Sequence, residues 1–519
     1  MVFIIILFFI LISLFIYSLE FILVLDYELF TSLSNIFYSL IFEFNTINGY
    51  VLAMLLICSL LVFNFYNHYF LYHYDYLFNL ILLFIGVMAY LVTTGNLCNS
   101  LIGWEYLGIV SFFLILYYNN YSSSRSAVIT LIVSRLGDAA FFILSGIFFF
   151  YDSYYFGFLL VLVFSIVGTK SAFYPISSWL IEAMRAPTPV SSLVHSSTLV
   201  AGGVWFLMFY YFYLFSSYPY LQHYFNSFLT IFCLVSIILS GMSALGFNDL
   251  KKIVAFSTCN NISWCFIYFI NGGYFYCLLQ LFIHGVIKCA LFCSVGDKLI
   301  SNNLAQNKIS YFNNLSYSNS LSLFLLNLSI CGGLFFGVYF IKHVMLVTSF
   351  SLPNIVIFFL IYFSIFLSFI YCFNFIGLFL STNNSLNNNG FIHNFYYIPI
   401  FLIFVLLISY LLSFNILEYG LLTPYQNLVF FILTTGISFL LLYFNIGLPM
   451  SVWFSNFMGL DWIINSAYSV SINILLRISY VFLYIWERGA IINLINSLNI
   501  INFFLLSIAI IIGIIFLLV

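Results

Sequence analysis

Apolar stretches long enough to cross a membrane follow one another along almost the whole chain, separated by short turns rich in Asn, Ser, Tyr and Gly. A helix needs about 20 mainly apolar residues to cross a hydrocarbon core of about 30 Å. The pattern therefore predicts an all-α polytopic membrane protein with about fifteen transmembrane helices. They are predicted near residues 2–25, 48–66, 76–96, 98–118, 128–150, 156–180, 188–215, 224–246, 250–271, 274–300, 318–347, 353–381, 394–414, 426–446 and 500–519.

Residues 461–495 follow a different pattern, in which a polar side chain recurs at every fourth position. Asn465, Ser469, Asn473 and Arg477 would line one side of a helix and leave apolar residues on its other sides. At about 1.5 Å per residue a straight helix here would be about 50 Å long, which exceeds the hydrocarbon core. We expect a lateral amphipathic helix lying along a surface, and an ordinary span with a polar lining is the alternative.

Composition supports a membrane protein and excludes other classes. Of 519 residues, 65% are hydrophobic, 22% aromatic and only 5% charged, which is more apolar surface than one soluble core could enclose. The net charge of -2 and the scattered basic residues exclude a nucleic-acid partner. The N-terminal segment lacks a basic region and a cleavage site, so we expect a retained span. Abundant Phe, Tyr, Ile, Leu and Asn is typical of an AT-rich gene, such as organelle genomes often carry.

The ten cysteines are spread along the chain without a CxxC motif. The closest pair, Cys289 and Cys293, has helical spacing inside an apolar segment. This distribution favours small buried hydrophobic residues over a zinc or iron–sulfur site. We therefore expect no metal and no cofactor in this chain.

Several ionisable side chains lie within the predicted spans, where each charge costs roughly 2.5 to 3.5 kcal/mol. A single buried charge of this kind is as often part of a structural ion pair that holds two helices together as it is functional. A whole series favours a path for protons, because ionisable groups in spans tend to face cavities or relay protons. The series comprises Glu105, Arg135, Asp138, Lys170, Lys288 and Lys342, accompanied by His195, His284 and His343. Too few Lys and Arg lie outside the spans for the positive-inside rule to orient the bundle.

Lys170 lies in the middle of an apolar run, within the stretch VGTKSAFYP. A carboxylate about 4 Å from a lysine gains roughly 4 kcal/mol at an effective dielectric near 20. If Glu105 approaches Lys170 in one conformation and withdraws in another, the lysine takes up a proton and then releases it. His284 and Lys288 are one helical turn apart and could extend such a relay.

Prolines interrupt the same region of the chain. Pro175 follows Lys170 closely, and Pro187 and Pro189 precede a Ser-rich helix that carries His195. A proline inside a span frees a backbone carbonyl, and discontinuous helices of this kind form ion sites in transporters. For Pro187 and Pro189 a tight reversal between two spans is the alternative.

Four motifs then occur in a characteristic order, namely GWEYLGIVSFFLI, SRLGDAAFF, VGTKSAFYPISSWLIEAMRAPTPVSSLVHSSTLVAGGVW and DLKKIVAFST. In order and spacing they resemble the chain 5 family of mitochondrial NADH:ubiquinone oxidoreductase, respiratory complex I. LDWIINSAYS and WERGAIINLI near the C-terminus also resemble that family's long lateral helix. The resemblance is dense from about residue 45 to 300, thinner to 350, and returns from 460 to about 495.

The resemblance implies two inverted five-helix repeats, each with a broken helix, around a central hydrophilic axis. It pairs Glu105 with Lys170 as the family's glutamate and broken-helix lysine, and it places Lys342 on the second broken helix. The implied proton relay is Glu105, Lys170, His195, His284, Lys288 and Lys342. The supporting residues are Arg135, Asp138, Asp249, Lys251, Lys252 and His343, and the helix breaks are Pro175, Pro187 and Pro189.

The expected function is that of a proton-translocating membrane-arm subunit of complex I in the mitochondrial inner membrane, encoded in the organelle. Flavin, iron–sulfur clusters and ubiquinone are expected in partner subunits, and the partners are other membrane-arm subunits, including neighbouring antiporter-like chains, and membrane lipids. The expected division is a shortened N-terminal anchor (1–45), an antiporter-like core (46–350), peripheral helices (351–460), the lateral helix (461–499) and a C-terminal anchor (500–519).

Two residues depart from the family pattern. Gln280 stands where the family has a histidine, and FIKH replaces F-S-K-D, so that His343 takes the place of an aspartate. Two alternative functions are open. One is the large subunit of an Mrp-type Na+/H+ antiporter, which shares these motifs. The other is a structural clamp subunit, whose lateral helix ties neighbours together while its degraded relay carries no protons.

Overall fold

The protein is described by a computed structural model in two units, Met1–Gly459 and Leu460–Val519. The first unit is described at residues 23–27, 40–70, 75–150, 156–215, 219–247, 249–301, 317–333, 337–349 and 355–380, and at residue 436. The second is described at residues 469, 470, 473, 474 and 476–481.

The described part of the first unit is almost entirely helical. In chain order the helices are α1 (Thr46–Tyr69), α2 (Asp75–Thr93), α3 (Leu97–Leu116), α4 (Tyr121–Phe150), α5 (Phe156–Ser171), α6 (Ser178–Glu182), α7 (Thr188–Leu193), α8 (Leu199–Phe215), α9 (Pro219–Gly246), α10 (Leu250–Ile270), α11 (Tyr274–Ser301), α12 (Tyr317–Cys331), α13 (Tyr339–Ser349) and α14 (Ile355–Leu380). Within the described residues nine helical stretches are long and apolar enough to cross a membrane. The prediction of a polytopic helical membrane protein is thus confirmed.

A short hairpin precedes the helices. Strand β1 (Leu23–Tyr27) pairs antiparallel with β2 (Leu40–Phe44), and Leu23 lies opposite Phe44. The prediction of a helix over residues 2–25 is therefore wrong for its last three residues, because a short apolar run can form a strand as readily as a helix end. Residues 1–22 lie outside the described part of the chain, so the N-terminal anchor stays a prediction.

The centre of the bundle is formed by α10, α11 and the stretch from α7 to α8. The most apolar windows of α10 and α11 are 94% and 100% buried, whereas that of α2 is only 33% buried. Helices α1 to α4, α9 and α14 therefore present one face outward, as lipid-facing helices do. Inside, Trp205 on α8 donates its indole N–H to Asn48 Oδ1 on α1 at 2.8 Å, which satisfies a buried polar pair.

Two of the predicted spans are interrupted within the bundle. The run predicted at 156–180 ends as α5 at Ser171, continues through Ala172 with φ 56°, and resumes as the short helix α6. The run predicted at 318–347 ends as α12 at Cys331 and resumes as α13 after Gly332 and Gly337, whose φ values are 77° and 54°. A broken helix in each half of the core is what the resemblance implied.

The backbone groups at the second break remain hydrogen-bonded. Gly333 donates its N–H to Leu328 O at 2.8 Å, and Val338 donates its N–H to Ser329 O at 3.1 Å. The chain thus folds back on the last turn of α12, which caps carbonyls that a helix end would otherwise leave free.

In the second unit the described residues are helical and exposed, including Arg477 and the apolar Ile474 and Leu476. The lateral helix over 461–499 stays a prediction, because most of it lies outside the described residues. The same holds for the spans at 394–414, 426–446 and 500–519 and for the domain boundaries.

Candidate functional site

Lys170 lies on the last turn of α5, next to the first helix break, and its side chain is 1% exposed. Its Nζ donates a hydrogen bond to Trp104 O on α3 at 3.3 Å and lies 5.2 Å from the centroid of the Trp104 ring. A backbone carbonyl and an aromatic face both attract a cation, yet neither carries a full negative charge. Lys170 is thus solvated by the protein and forms no ion pair with the residues that the structure describes.

The carboxylate that acts on Lys170 is Asp138 of α4. Asp138 is 4% exposed, interacts electrostatically with Lys170, and pairs with Arg135 at 3.3 Å between Oδ2 and Nη1. Close packing brings these helices together, since a Cβ on Gly137 would lie 2.1 Å from Thr169 Oγ1. A larger residue at that position would separate α4 from α5.

Glu105 directly follows Trp104 on α3, and its side chain is partly exposed. In the described part of the chain it forms no ion pair with Lys170 and instead interacts electrostatically with Asp138. In this structure Glu105 is therefore not paired with the lysine. The predicted approach of Glu105 in a second conformation stays a prediction.

His195 lies beyond α6 and α7, in a π-helical turn, Val194–Thr198, between α7 and α8. It is 1% exposed, hydrogen-bonds to the backbone of Ala183 and lies within electrostatic range of Lys251. Lys251 is itself buried and donates to Ala186 O at 3.1 Å. A wider turn of this kind is common at functional sites because it redirects a side chain.

The prolines of this region have different roles. Pro175 lies in the break between α5 and α6, as predicted. Pro187 is the residue before α7 and Pro189 lies in its first turn, where proline starts a helix without losing a hydrogen bond. The interpretation of Pro187 and Pro189 as breaks inside a span is therefore wrong, and a junction between two short helices is the better description.

The central group lies on α11 and faces α10. Lys288 is fully buried and donates to Val254 O at 3.2 Å and to the Ser257 hydroxyl. His284, one turn earlier, is 1% exposed, and neither of its ring nitrogens has a hydrogen-bond partner among the described residues. Gln280 donates to Asn261 Oδ1 at 3.4 Å. Buried polar atoms without a protein partner usually bond to water, and both ring nitrogens of His284 remain available for such bonds.

Lys342 lies on α13, just after the second break. Its Nζ donates to Cys331 O at 2.8 Å and to Ser368 Oγ at 3.0 Å, and the side chain is 4% exposed. Cys331 is the last residue of α12, where backbone carbonyls have no partner in their own helix. The negative end of the α12 dipole thus faces the lysine. The side chain of His343 lies outside the described part of the structure.

Asp249 and Lys252, which were predicted as supporting residues, lie at the edge of the bundle. They form an ion pair at 3.2 Å at the start of α10, with 23% and 33% of their side chains exposed. Arg185 lies at the same end of the bundle. It forms an ion pair with Glu182 at 3.0 Å and donates a hydrogen bond to Ser122 O at 3.0 Å. Sequence reasoning did not single out Arg185 and Glu182, although both stand beside the RAPTPV turn.

The structure thus gathers the predicted residues into three buried groups. The first is Lys170 with Asp138 and Arg135, the second is His284 with Lys288, and the third surrounds Lys342. His195 lies with Lys251 beside the first break. Two further contributors, the carbonyl of Trp104 and the hydroxyl of Ser257, were not predicted, because only the packing of helices distant in sequence reveals them.

Residues 94–368 match the sequence model of the NADH:quinone oxidoreductase/Mrp antiporter transmembrane family. The solved structures that resemble this chain include the Mrp complex of Dietzia, with a TM-score of 0.65 and 18% identity over 88% of this chain and 56% of the other. The archaeal membrane-bound sulfane sulfur reductase, a respiratory membrane complex, has a TM-score of 0.62 and 16% identity over 80% of this chain and 86% of the other. These likenesses define the class as an antiporter-like membrane protein.

Comparison with individual relatives identifies the family within this class. NADH-ubiquinone oxidoreductase chain 5 of Caenorhabditis elegans is 32% identical over 417 residues, which cover 77% of this chain and 78% of the relative. The protein of the same name from Aedes aegypti is 31% identical over 79% of this chain and 75% of the relative. The chain belongs to the NADH-ubiquinone oxidoreductase chain 5 family.

Proposed function

We propose that this chain translocates protons in the membrane arm of NADH:ubiquinone oxidoreductase in the mitochondrial inner membrane. Electron transfer from NADH to ubiquinone drives the translocation through Glu105, Lys170, His195, His284, Lys288 and Lys342. The chain works inside a multi-subunit membrane complex, and its neighbours are other membrane-arm subunits and lipids. The flavin, iron–sulfur and ubiquinone chemistry belongs to partner subunits.

One observation carries this proposal. Lys170, Lys288 and Lys342 are all buried, and each donates to a backbone carbonyl, while none forms an ion pair among the described residues. A lysine whose only role is to hold helices together would be expected to pair with a carboxylate. Such a buried pair is a firm link, because breaking it costs about 3 to 5 kcal/mol. Carbonyls can instead accept from a neutral or a charged amine, so each site tolerates both states that a proton relay needs.

The energy gained when one lysine–carboxylate pair forms is sufficient to move one proton against the membrane potential. Moving one charge against 100 mV costs about 2.3 kcal/mol. A lysine and a carboxylate that come within about 4 Å gain roughly 4 kcal/mol at an effective dielectric near 20. Movement of Glu105 toward Lys170 and away again would therefore suffice to load and unload the lysine.

The charge distribution orients the chain in the membrane. Contacts place the ends of α1 and α11 and the starts of α4, α7 and α10 together, and His68 pairs with Asp297 there at 3.9 Å. The basic residues of this end are Arg125, Arg185, Lys251, Lys252 and Lys298. The described residues at the opposite end include no Lys or Arg. The sequence alone did not show that these basic residues lie at one end of the bundle. With that placement, the positive-inside rule puts the basic end toward the matrix.

Copurification separates this function from that of an antiporter. We expect the chain, tagged and extracted in mild detergent, to purify with flavin-containing and iron–sulfur subunits and with NADH-oxidising activity. The likeness to the Mrp complex shows a shared fold, and an exchanger working apart from respiration would purify without redox subunits. Isolation free of flavin and iron would therefore overturn the proposal.

A second test concerns the acid that acts on Lys170. We expect Asp138→Asn in the assembled complex to slow proton translocation by about tenfold or more, because the neutral amide no longer stabilises the charged lysine. The measurement is acidification by reconstituted vesicles, compared with NADH oxidation in the same sample. Asp297→Asn is the matched control, since Asp297 pairs with His68 at the end of α11, outside the proposed path. Translocation by Asp138→Asn at the rate of this control and of the wild type would contradict a role for Asp138.

A further inference from the structure

Two buried serines bond directly to lysines of the relay. Lys288 of α11 donates to the hydroxyl of Ser257 on α10, and Lys342 of α13 donates to Ser368 Oγ on α14 at 3.0 Å. The two serines are 6% and 0% exposed. In each case the lysine and the serine belong to different helices, so packing of the bundle places a hydroxyl against the amine.

Each of these lysines also donates to a backbone carbonyl. Lys288 Nζ lies 3.2 Å from Val254 O, and Lys342 Nζ lies 2.8 Å from Cys331 O. One carbonyl and one hydroxyl therefore accept from each amine. The two lysines share this arrangement although they lie on different helices.

The surroundings of Lys288 and Lys342 contain no carboxylate that acts on them among the described residues. The titratable groups that do interact with one or both are His284, Cys331 and Cys372. Lys170 differs, because the carboxylate of Asp138 acts on it. Hydrogen bonds with uncharged groups therefore have to satisfy both protonation states of Lys288 and Lys342.

The two protonation states of a lysine need different partners. The ammonium has three N–H donors, whereas the neutral amine has two N–H donors and a lone pair that accepts. A backbone carbonyl can only accept, so it cannot serve the lone pair. A serine hydroxyl both donates and accepts, and its hydrogen can rotate. Of the two partners of each amine, the hydroxyl is thus the one that suits both states.

The serine hydroxyls are bonded in a way that leaves them free to turn. Ser257 Oγ donates to Val254 O at 2.8 Å, and Ser368 Oγ donates to Ile365 O at 2.6 Å. Both carbonyls lie inside long helices, where each also accepts a bond from the N–H four residues later. A hydroxyl that turns from its carbonyl to the lysine therefore leaves no backbone group without a partner.

We propose that each of these two serine hydroxyls turns with the protonation state of its lysine, accepting from the ammonium and donating to the neutral amine. The serine keeps its own proton throughout and holds the unprotonated lysine in place until the next proton arrives. Ser257 and Ser368 are thus positioning residues. This inference rests on the proposed proton-translocating function and assigns two further residues to it.

Helix α14 contains a matched control. Ser364 lies one turn before Ser368, is also 0% exposed, and donates to Ile361 O at 2.6 Å in the same way. Among the described residues no lysine bonds to its hydroxyl. Ser364→Ala thus tests the loss of a buried serine hydroxyl by itself.

A second comparison separates the hydroxyl from the shape of the side chain. Threonine and valine have nearly the same shape, but only threonine has a hydroxyl. Ser368→Thr keeps a group that can turn between the carbonyl and Lys342, whereas Ser368→Val fills the same space without one. A packing role would not distinguish these two variants.

The experiment uses the assembled complex reconstituted in vesicles and compares proton release with NADH oxidation in the same sample. We expect Ser368→Ala and Ser257→Ala each to slow translocation by about tenfold, because a hydrogen bond to a charged group is worth about that factor. We expect Ser364→Ala to leave translocation unchanged. Ser368→Thr should translocate like the wild type, and Ser368→Val should be as slow as Ser368→Ala.

The outcomes separate this inference from the function on which it rests. If Lys342→Met stops translocation while Ser368→Ala behaves like Ser364→Ala, the serine inference is wrong and the lysine relay stands. Equal translocation by Ser368→Thr and Ser368→Val would show that shape matters and the hydroxyl does not, which also overturns the inference. If Lys342→Met leaves translocation unchanged, the proposed function of this lysine itself fails.

Discussion

Lys170→Met is expected to slow proton translocation through this chain by about 100-fold or more, because it removes the group that accepts and releases the proton. Lys170 is 1% exposed and bonds to Trp104 O, and within the described residues the charge that stabilises it is that of Asp138. Methionine fills the volume of the lysine stem but binds no proton. The measurement compares proton release with NADH oxidation by the same vesicles.

Folding should survive this change. Removing a charge from the membrane interior saves roughly 2.5 to 3.5 kcal/mol. Trp104 O lies inside α3, where it also accepts a hydrogen bond from a backbone N–H of the same helix. Lys252→Met is the control, since Lys252 is 33% exposed in a pair at the edge of the bundle. Unchanged translocation per electron in an assembled Lys170→Met complex would exclude Lys170 from the path.

The regular part of the fold was predictable because hydrophobic periodicity acts locally. The run predicted at 250–271 is α10, Leu250–Ile270, and that at 274–300 is α11, Tyr274–Ser301. The break after Lys170 was also predictable, since Pro175 stands in an otherwise apolar run. The break before Lys342 depends instead on glycines with positive φ, which the apolar pattern passed over and only the family resemblance implied.

The partners of the charged residues were less predictable, because they depend on contacts between helices distant in sequence. Glu105 was predicted as the partner of Lys170, whereas Asp138 acts on the lysine in this conformation. Burial of every lysine of the relay was correctly anticipated from the surrounding apolar residues.

The two broken helices share one arrangement of lysine and carbonyl. At each break a buried lysine bonds to a backbone carbonyl, that of Trp104 in one case and that of Cys331 in the other. The neighbouring charges differ, since Asp138 acts on Lys170, whereas no carboxylate among the described residues acts on Lys342. The two ends of the relay therefore have similar geometry but different charged surroundings, which makes substitutions at the second break a separate test of the path.

Gly337→Ala is expected to lower the stability of the second break by about 2 to 5 kcal/mol and to stop translocation. Gly337 has φ 54°, and a Cβ there would lie 2.6 Å from Ser329 O and 3.0 Å from Ser329 Cβ. The left-handed conformation costs a residue with a side chain roughly 1 to 2 kcal/mol, and overpacking adds about 1 to 3 kcal/mol. Because Val338 N donates to Ser329 O, relief of the clash would move the start of α13 away from α12.

That displacement would carry Lys342 away from Cys331 O, its hydrogen-bond acceptor at 2.8 Å, so stability and translocation should fall together. The temperature at which the purified complex releases this chain measures the first effect, and vesicle acidification measures the second. Gly86→Ala is the matched control, because a Cβ at Gly86 on α2 meets no atom within 4 Å. A Gly337→Ala complex as stable and as active as Gly86→Ala would show that Lys342 does not depend on the close return of the chain to α12.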